Sequence, residues 1–174
     1  MKVLIKVLIL TSLLLFTNSL YAETNIVYLD MNVIYNETKV GKFISAELEK
    51  IQKNDISNFK KIEESLKKEE KKIFSQKNIL SEEEYEKMVL SFKEKVDKYK
   101  SNRNRSINEL KENRVKSINE LSTSVNKILA EYSEEKKISF IIPKKNIIIG
   151  KSELDITDDI LIIVDKKIKK INIK

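Results

Sequence analysis

Phe74-Ser-Gln-Lys-Asn-Ile-Leu-Ser-Glu-Glu-Glu-Tyr85 decides the fold, because it separates two runs of helical periodicity. Before it, from Phe43 to Phe74, apolar residues recur every three or four positions. After it the pattern resumes as Tyr85, Met88/Val89, Phe92, Val96, Tyr99, Ile107, Leu110, Ile118, Leu121, Val125, Ile128/Leu129 and Tyr132. That is heptad spacing among polar neighbours. Within the break, Ser81 and Glu84 carry a capping-box signature: the hydroxyl can accept from the amide three residues on, and the carboxylate can reach back. Glu82, Glu83 and Glu84 also suit the positive end of a helix dipole. One helix ends here and another begins, which predicts a long antiparallel hairpin with its tip near residues 76–81. Such a hairpin has almost no interior, so it must associate with copies of itself or hold something else.

Working outward, the outbound helix is predicted from about Lys42 to Lys77, roughly 54 Å long at 1.5 Å per residue. Its seam reads Ile44, Leu48, Ile51, Asp55, Phe59, Ile62, Leu66 and Ile73. A charge at Asp55 predicts local fraying or a bend, and the few neighbours expected near the tip predict that Ile73 is a lightly packed position. The return helix runs to about Lys136 and is the longer limb. Its excess, roughly Ile118 to Tyr132, is predicted to enter a compact body.

That body is read from the two ends of the chain. Asn25-Ile-Val-Tyr-Leu-Asp30 is β-branched and aromatic and reads as a strand, followed by a helical turn from Met31 to Asn36. Ile138–Ile142, Pro143–Asn146 and Ile147–Gly150 read as strand, turn, strand. Thr157 is predicted to cap a last helix, with Asp158 and Asp159 in its first turn and Lys166, Lys167, Lys169 and Lys170 in its last turns. Three short strands make a poor sheet alone. The run Ile147-Ile148-Ile149 is apolar on both faces, which implies subunit association.

Residues 1–22 follow a different logic. Lys2 and Lys6 precede the apolar stretch Val7–Phe16, and Tyr21-Ala22 offers a cleavage junction, as in a secretory signal peptide. Leu20 stands where a small residue is usual, so an uncleaved amino-terminal anchor is the alternative. With no cysteine there is neither a lipid-attachment site nor a disulfide. The formal charge of +7 falls to about +5 once Lys2 and Lys6 leave with the signal. Lysine outnumbers arginine 31 to 3. A positive surface favours acidic clients and anionic head groups, whereas nucleic acid is not expected without an aromatic platform or arginine fork. Without His or Cys the commonest bases, nucleophiles and transition-metal ligands are missing. No enzyme activity, cofactor or metal is predicted.

Ile26-Val-Tyr-Leu-Asp-Met-Asn-Val-Ile34 at one end, with Ile138 through Ile149 and Leu154-Asp-Ile-Thr-Asp-Asp-Ile160 at the other, resembles the Skp/OmpH family of periplasmic chaperones. The resemblance covers essentially the whole mature chain in order, although the helical middle matches only in length and periodicity. It implies a homotrimer, with a small β-rich body from which three helical hairpins project around a cavity. That cavity would hold unfolded outer-membrane proteins without ATP.

The expected fold class is therefore α+β: a long antiparallel, coiled-coil-like helical hairpin projecting from a small β-rich trimerisation body. Residues 1–22 are the signal, 23–41 and 118–174 the body with its carboxy-terminal helix, and 42–117 the arm. Phe59, Ile62, Leu66, Ile73, Phe74, Tyr85, Phe92 and Tyr99 are the expected client contacts, shared with the hairpin seam. Ile26, Tyr28, Phe140, Ile142, Ile147, Ile148 and Ile149 are the expected trimer-body residues. Lys67, Lys68, Lys71, Lys72 and Lys77 form a basic stretch near the tip. It reads either as an attractor of acidic clients, anionic lipid or lipopolysaccharide, or as a solvated face with ion pairs such as Glu64–Lys68. Arg103 and Arg114 fall on the seam and are expected to snorkel or face a wet cavity. The competing function is a membrane-anchored structural coiled-coil protein of the cell envelope.

Overall fold

The computed structural model describes residues 24–173, so the signal-peptide reading of residues 1–22 lies outside the described residues. Strand β1 is Ile26–Leu29, followed by helices α1 (Met31–Glu37), α2 (Lys39–Gln76) and α3 (Glu82–Lys136), strand β2 (Phe140–Pro143) and helix α4 (Thr157–Lys167). The chain is mostly helical with a two-stranded sheet. β1 and β2 pair in parallel, with Ile26 opposite Phe140 and Val27 opposite Ile141. The second strand expected at Ile147–Gly150 does not form: Lys144–Asn146 is a 3-10 turn and Ile147–Gly150 is loop. Its β propensity finds no ladder partner among the described residues. The other side of β1 is met instead by the Ile156 amide, which donates to the Tyr28 carbonyl at 3.0 Å.

Two local devices set the chain's path. The Asp30 carboxylate caps α1 by accepting from the amides of Asn32 and Val33. Thr38, wholly buried, then joins α1 to α2: its hydroxyl donates to the Ile34 carbonyl at 2.7 Å and accepts from the Gly41 amide at 3.1 Å. One side chain thereby satisfies an orphan carbonyl of one helix and an orphan amide of the next. A Cβ at Gly41 would lie 2.0 Å from the Tyr35 carbonyl oxygen, so the close approach of α1 to α2 requires glycine there.

α2 and α3 are the hairpin limbs, and α3 at 55 residues reaches about 82 Å. The predicted capping box forms at Ser81, where Ser81 N–H donates to Glu84 Oε2 at 3.1 Å. Hydrogen bonds from the Ser81 hydroxyl and amide hold the Glu84 carboxyl below its ordinary range. Lys137, in the left-handed region at φ 52°, ends α3 with its amide turned back to Ser133 and Glu134.

The seam mixes apolar and polar layers. α2 runs unbroken through Asp55, correcting the expected fraying, because Ser106 of α3 donates a hydrogen bond to that carboxylate. Phe59 meets Tyr99 edge-to-face at 5.9 Å, and the Tyr99 hydroxyl donates to Glu63. That hydrogen bond, with burial and the Glu63 charge, pushes the Tyr99 phenol up against the opposing charge of Arg103. Nearer the tip Lys95 pairs with Glu69 at 2.5 Å, while no ion pair joins Glu64 to Lys68 among the described residues.

The core lies where the root of the hairpin meets the two ends of the chain. Leu29, Ile34, Val40, Ile44, Leu121, Val125, Ile160 and Val164 are essentially inaccessible there. Leu121 to Tyr132 thus packs inward as expected, joined by Ile44 and Leu48 from the outbound helix and by Ile171 from the tail. The end helix departs from expectation in two respects. Thr157 is its first residue rather than its cap, because Asp155 Oδ1 takes the Thr157 amide at 3.0 Å and the Thr157 hydroxyl accepts from the Asp30 amide at 3.0 Å. The helix also stops at Lys167, so Lys169 and Lys170 lie beyond its last turn, where Ile168 and Ile171 turn inward. Asp165 Oδ1 accepts from the Lys39 amide at 2.7 Å, tying α4 to the start of α2.

Two stability predictions follow from this packing. Thr38→Val strips a buried joint of a donor and an acceptor, and should cost about 2 kcal/mol in urea unfolding. Thr123→Val, at an exposed site on α3, should cost little; equal losses would remove the joint's special role. The light packing expected of Ile73 is overturned by its burial at 6 % exposure. Ile73→Asp should therefore open the tip locally, raising amide exchange across residues 66–92 while Leu121–Ile128 stays protected.

Candidate functional site

The residues expected to meet clients are dispersed along the hairpin. Ile73 is buried in the seam, whereas Phe59, Leu66, Tyr85, Phe92 and Tyr99 are half-buried between the limbs. Ile62 is exposed and Phe74 is 76 % exposed, so these two present most of their apolar surface to solvent. Ile56, Ile107 and Val115 toward the root, with Ile79, Val89 and Leu90 around the tip, are exposed as well. Periodicity had placed Ile107 and Val89 on the seam and passed over Ile56, Val115 and Leu90. A second, weaker apolar stripe beside the main heptad would have been the signal for those three. Lys67, Lys68, Lys71, Lys72 and Lys77 are all exposed. Among the described residues none of the five joins an ion pair; the nearby pairs use Glu69, Glu83, Lys87 and Lys95 instead.

One concavity stands out along the hairpin, a groove of about 930 Å³ between α2 and α3 on the root side of the Phe59–Tyr99 contact. Its apolar walls come from Leu48, Ile56, Phe59, Ile107 and Leu110. Arg103 and Arg114 line it and are exposed. That placement matches the wet-cavity alternative expected of seam arginines, since guanidinium heads stay hydrated while their stems cover apolar surface.

The body presents a different arrangement. Tyr28 is buried within the chain, where its hydroxyl donates to the Lys151 carbonyl at 3.0 Å. A Cβ at Gly150 would come within 2.8 Å of the Tyr28 ring, so the loop needs glycine to close over it. Ile142 and Ile147 are half-buried, Ile26 and Phe140 are exposed, and Ile148 is 98 % and Ile149 92 % exposed. Beside this loop Lys144 reaches Asp155 at 2.7 Å. Burial would raise the Asp155 carboxyl, but hydrogen bonds from Lys144 and from the Thr157 hydroxyl and amide outweigh it and hold the group below its usual range. Tyr132 is pushed up to about 12 by burial and by its hydrogen bond to Asp159. Asp155 and Tyr132 are each engaged in holding elements together.

No helix among the described residues is long and apolar enough to cross a membrane. Among solved structures, the chain is similar to one from Caulobacter crescentus CB15 described as a candidate outer membrane chaperone (OmpH-like). The TM-score is 0.80 at 16 % identity, over 86 % of this chain and 88 % of that one, which is a likeness of fold. None of the curated proteins matches. The family model for Outer membrane protein (OmpH-like) matches residues 25–163, from the first strand into the last helix. With the fold and most of its length in agreement, this chain belongs to the OmpH-like (Skp/OmpH) family.

Proposed function

We propose that this protein is an ATP-independent holdase of the periplasm that binds unfolded outer-membrane proteins and prevents their aggregation. The observation that carries the reading is a family-matched hairpin that leaves much of its own apolar surface uncovered. The Caulobacter structure of the same fold, described as a candidate outer membrane chaperone, supports it. In this reading residues 1–22 are removed near Ala22. Residues 23–41 and 118–174 form a trimerisation body, and residues 42–117 form an arm. Three arms enclose the client through many weak contacts, whose multiplicity supplies the avidity while each contact stays labile. No catalysis, cofactor or metal takes part. Anionic lipid or lipopolysaccharide is a further partner that the basic stretch would accept.

The trimer is supported by what the protomer leaves open. A two-stranded sheet is marginal in water, and Ile148 and Ile149 are nearly bare beside it. Sedimentation equilibrium should give three times the mature mass. Ile148→Asp should lower it toward the protomer and weaken folding with it; an unchanged trimer would exclude this loop from the interface.

Holding is tested by diluting a urea-denatured outer-membrane barrel protein into buffer with and without the purified protein. Suppressed light scattering without nucleotide is expected, and none would defeat the holdase reading. Changing Lys67, Lys68, Lys71 and Lys72 together to Gln should slow client association at low salt and flatten its salt dependence, because exposed charges act over about 10 Å at 0.1 M salt. Unchanged rates would leave the stretch a solvated helix face. Amino-terminal sequencing separates this reading from the anchored envelope coiled coil: a start at Glu23 favours the exported chaperone, and an intact amino terminus favours the anchor.

A further inference from the structure

The groove at the root of the hairpin carries a charge imbalance that its composition conceals. Its carboxylates are already engaged. Glu49 pairs with Lys53 at 2.6 Å, Asp55 accepts from Ser106, and Glu63 accepts from Tyr99. Its cations are Lys60, Arg103, Lys111 and Arg114, and among the described residues none of them joins an ion pair or a side-chain hydrogen bond. Four unengaged positive groups therefore overlook an apolar floor of Ile56, Phe59, Ile107 and Leu110.

The arginines sharpen this. The whole chain has 31 lysines and 3 arginines, and two of the three line this one groove. The third, Arg105, is engaged with Asn102 and Glu109. A guanidinium offers a planar fork that matches a carboxylate in two hydrogen bonds, which an ammonium cannot do. Arg103 and Arg114 are eleven residues apart on one helix, about 16 Å along its axis. An extended chain covers that distance in about five residues.

We infer that the groove is a sequence-selective subsite for an extended segment of unfolded polypeptide. The segment carries two carboxylates about five residues apart, with alternating apolar side chains between them. The inference rests on the holdase reading and adds a preference to it: capture is weighted toward acidic–apolar segments at the root of the hairpin, rather than spread evenly over the arm. The apolar side chains settle on Ile56, Phe59, Ile107 and Leu110, and the flanking carboxylates meet Arg103 and Arg114. Alternation suits an extended chain, because every second side chain then faces the floor.

The probe is a fluorescein-labelled peptide with two Asp residues flanking alternating Phe and Thr, titrated against the purified protein by anisotropy. A matched peptide carries Asn in place of both Asp residues. The Asp peptide should bind saturably, and the Asn peptide about tenfold more weakly. Arg103→Gln with Arg114→Gln should weaken the Asp peptide by a similar factor and leave the Asn peptide nearly unchanged. Removing two exposed lysines outside the groove, Lys166→Gln with Lys170→Gln, should leave both peptides nearly unchanged, which separates direct contact from a general loss of positive charge. Both arginines are exposed, so circular dichroism should show an unaltered melt; the Asn peptide gives a reading on the unmodified protein in either case. Equal binding of the two peptides, or an unchanged Asp affinity in the double variant, overturns the inference. So does a double variant that loses binding to phosphatidylglycerol vesicles while keeping the peptide, since the groove would then serve a lipid. The barrel-protein dilution assay is run beside it. Protection without arginine-dependent peptide binding rejects the subsite alone, whereas absence of protection rejects the holdase reading on which it rests.

Discussion

The parallel pairing of Ile26–Leu29 with Phe140–Pro143 joins segments more than a hundred residues apart, and the hairpin is the crossover between them. Closing a loop of that length costs about 4 kcal/mol beyond a constant term. A short ladder whose hydrogen bonds are worth about 1 kcal/mol each, net, does not offset both the closure and the ordering of the strands. Burial does. Leu29, Ile34, Leu121, Val125 and Ile160 are fully enclosed, and each contributes about 2 kcal/mol. The sheet therefore aligns the ends of the chain, while the core formed by α1, α4 and the root of α3 holds them. Asp165 on Lys39 and Thr157 on Asp30 fix that alignment with hydrogen bonds between residues more than 120 positions apart.

The same closure leaves the molecule unfinished along its sheet. β1 is flanked by β2 and by a single bridge to Asp155, and the loop expected to form another strand stays open. Ile148 and Ile149 reach solvent where a monomeric body would bury them or replace them with polar residues. An apolar run with no partner among the described residues is most economically explained by a partner in another chain. This is the physical content of the proposed trimer, and it places the association next to the core, away from the tip.

What could be read directly from the residues was local chemistry. The capping box at Ser81, the tip, and the end of α3 near Lys136 all depend on contacts within a few positions, and all three form. What escaped depends on distant partners. Thr157 resembles a cap because its neighbours do, yet its hydroxyl serves Asp30, and Asp155 takes the amide. Asp55 resembles a flaw in the seam until Ser106, fifty-one residues on, supplies a donor. Ile73 looked lightly packed because periodicity does not reveal how tightly the two limbs close at the tip. The groove was legible only in part: Arg103 and Arg114 stood out on the seam, but its floor unites residues 48–59 with 107–110 and has no signature in either segment alone.

The polar layers of the seam bear on how such a hairpin could work. A seam of leucine at every core position would be stable and would also bury the surface a client needs. Here Asp55–Ser106, Glu63–Tyr99 and Glu69–Lys95 align the limbs from the root groove outward toward the tip. Partly exposed contacts of this kind are worth at most about 1 kcal/mol each. They specify register more than they add stability, as buried polar groups do in coiled coils. The limbs can thus keep a defined pairing while Ile56, Ile62, Ile107 and Val115 stay at the surface. Stability then resides in the body, where the side chains are enclosed, and the hairpin is free to spend its apolar residues on contacts outside the chain.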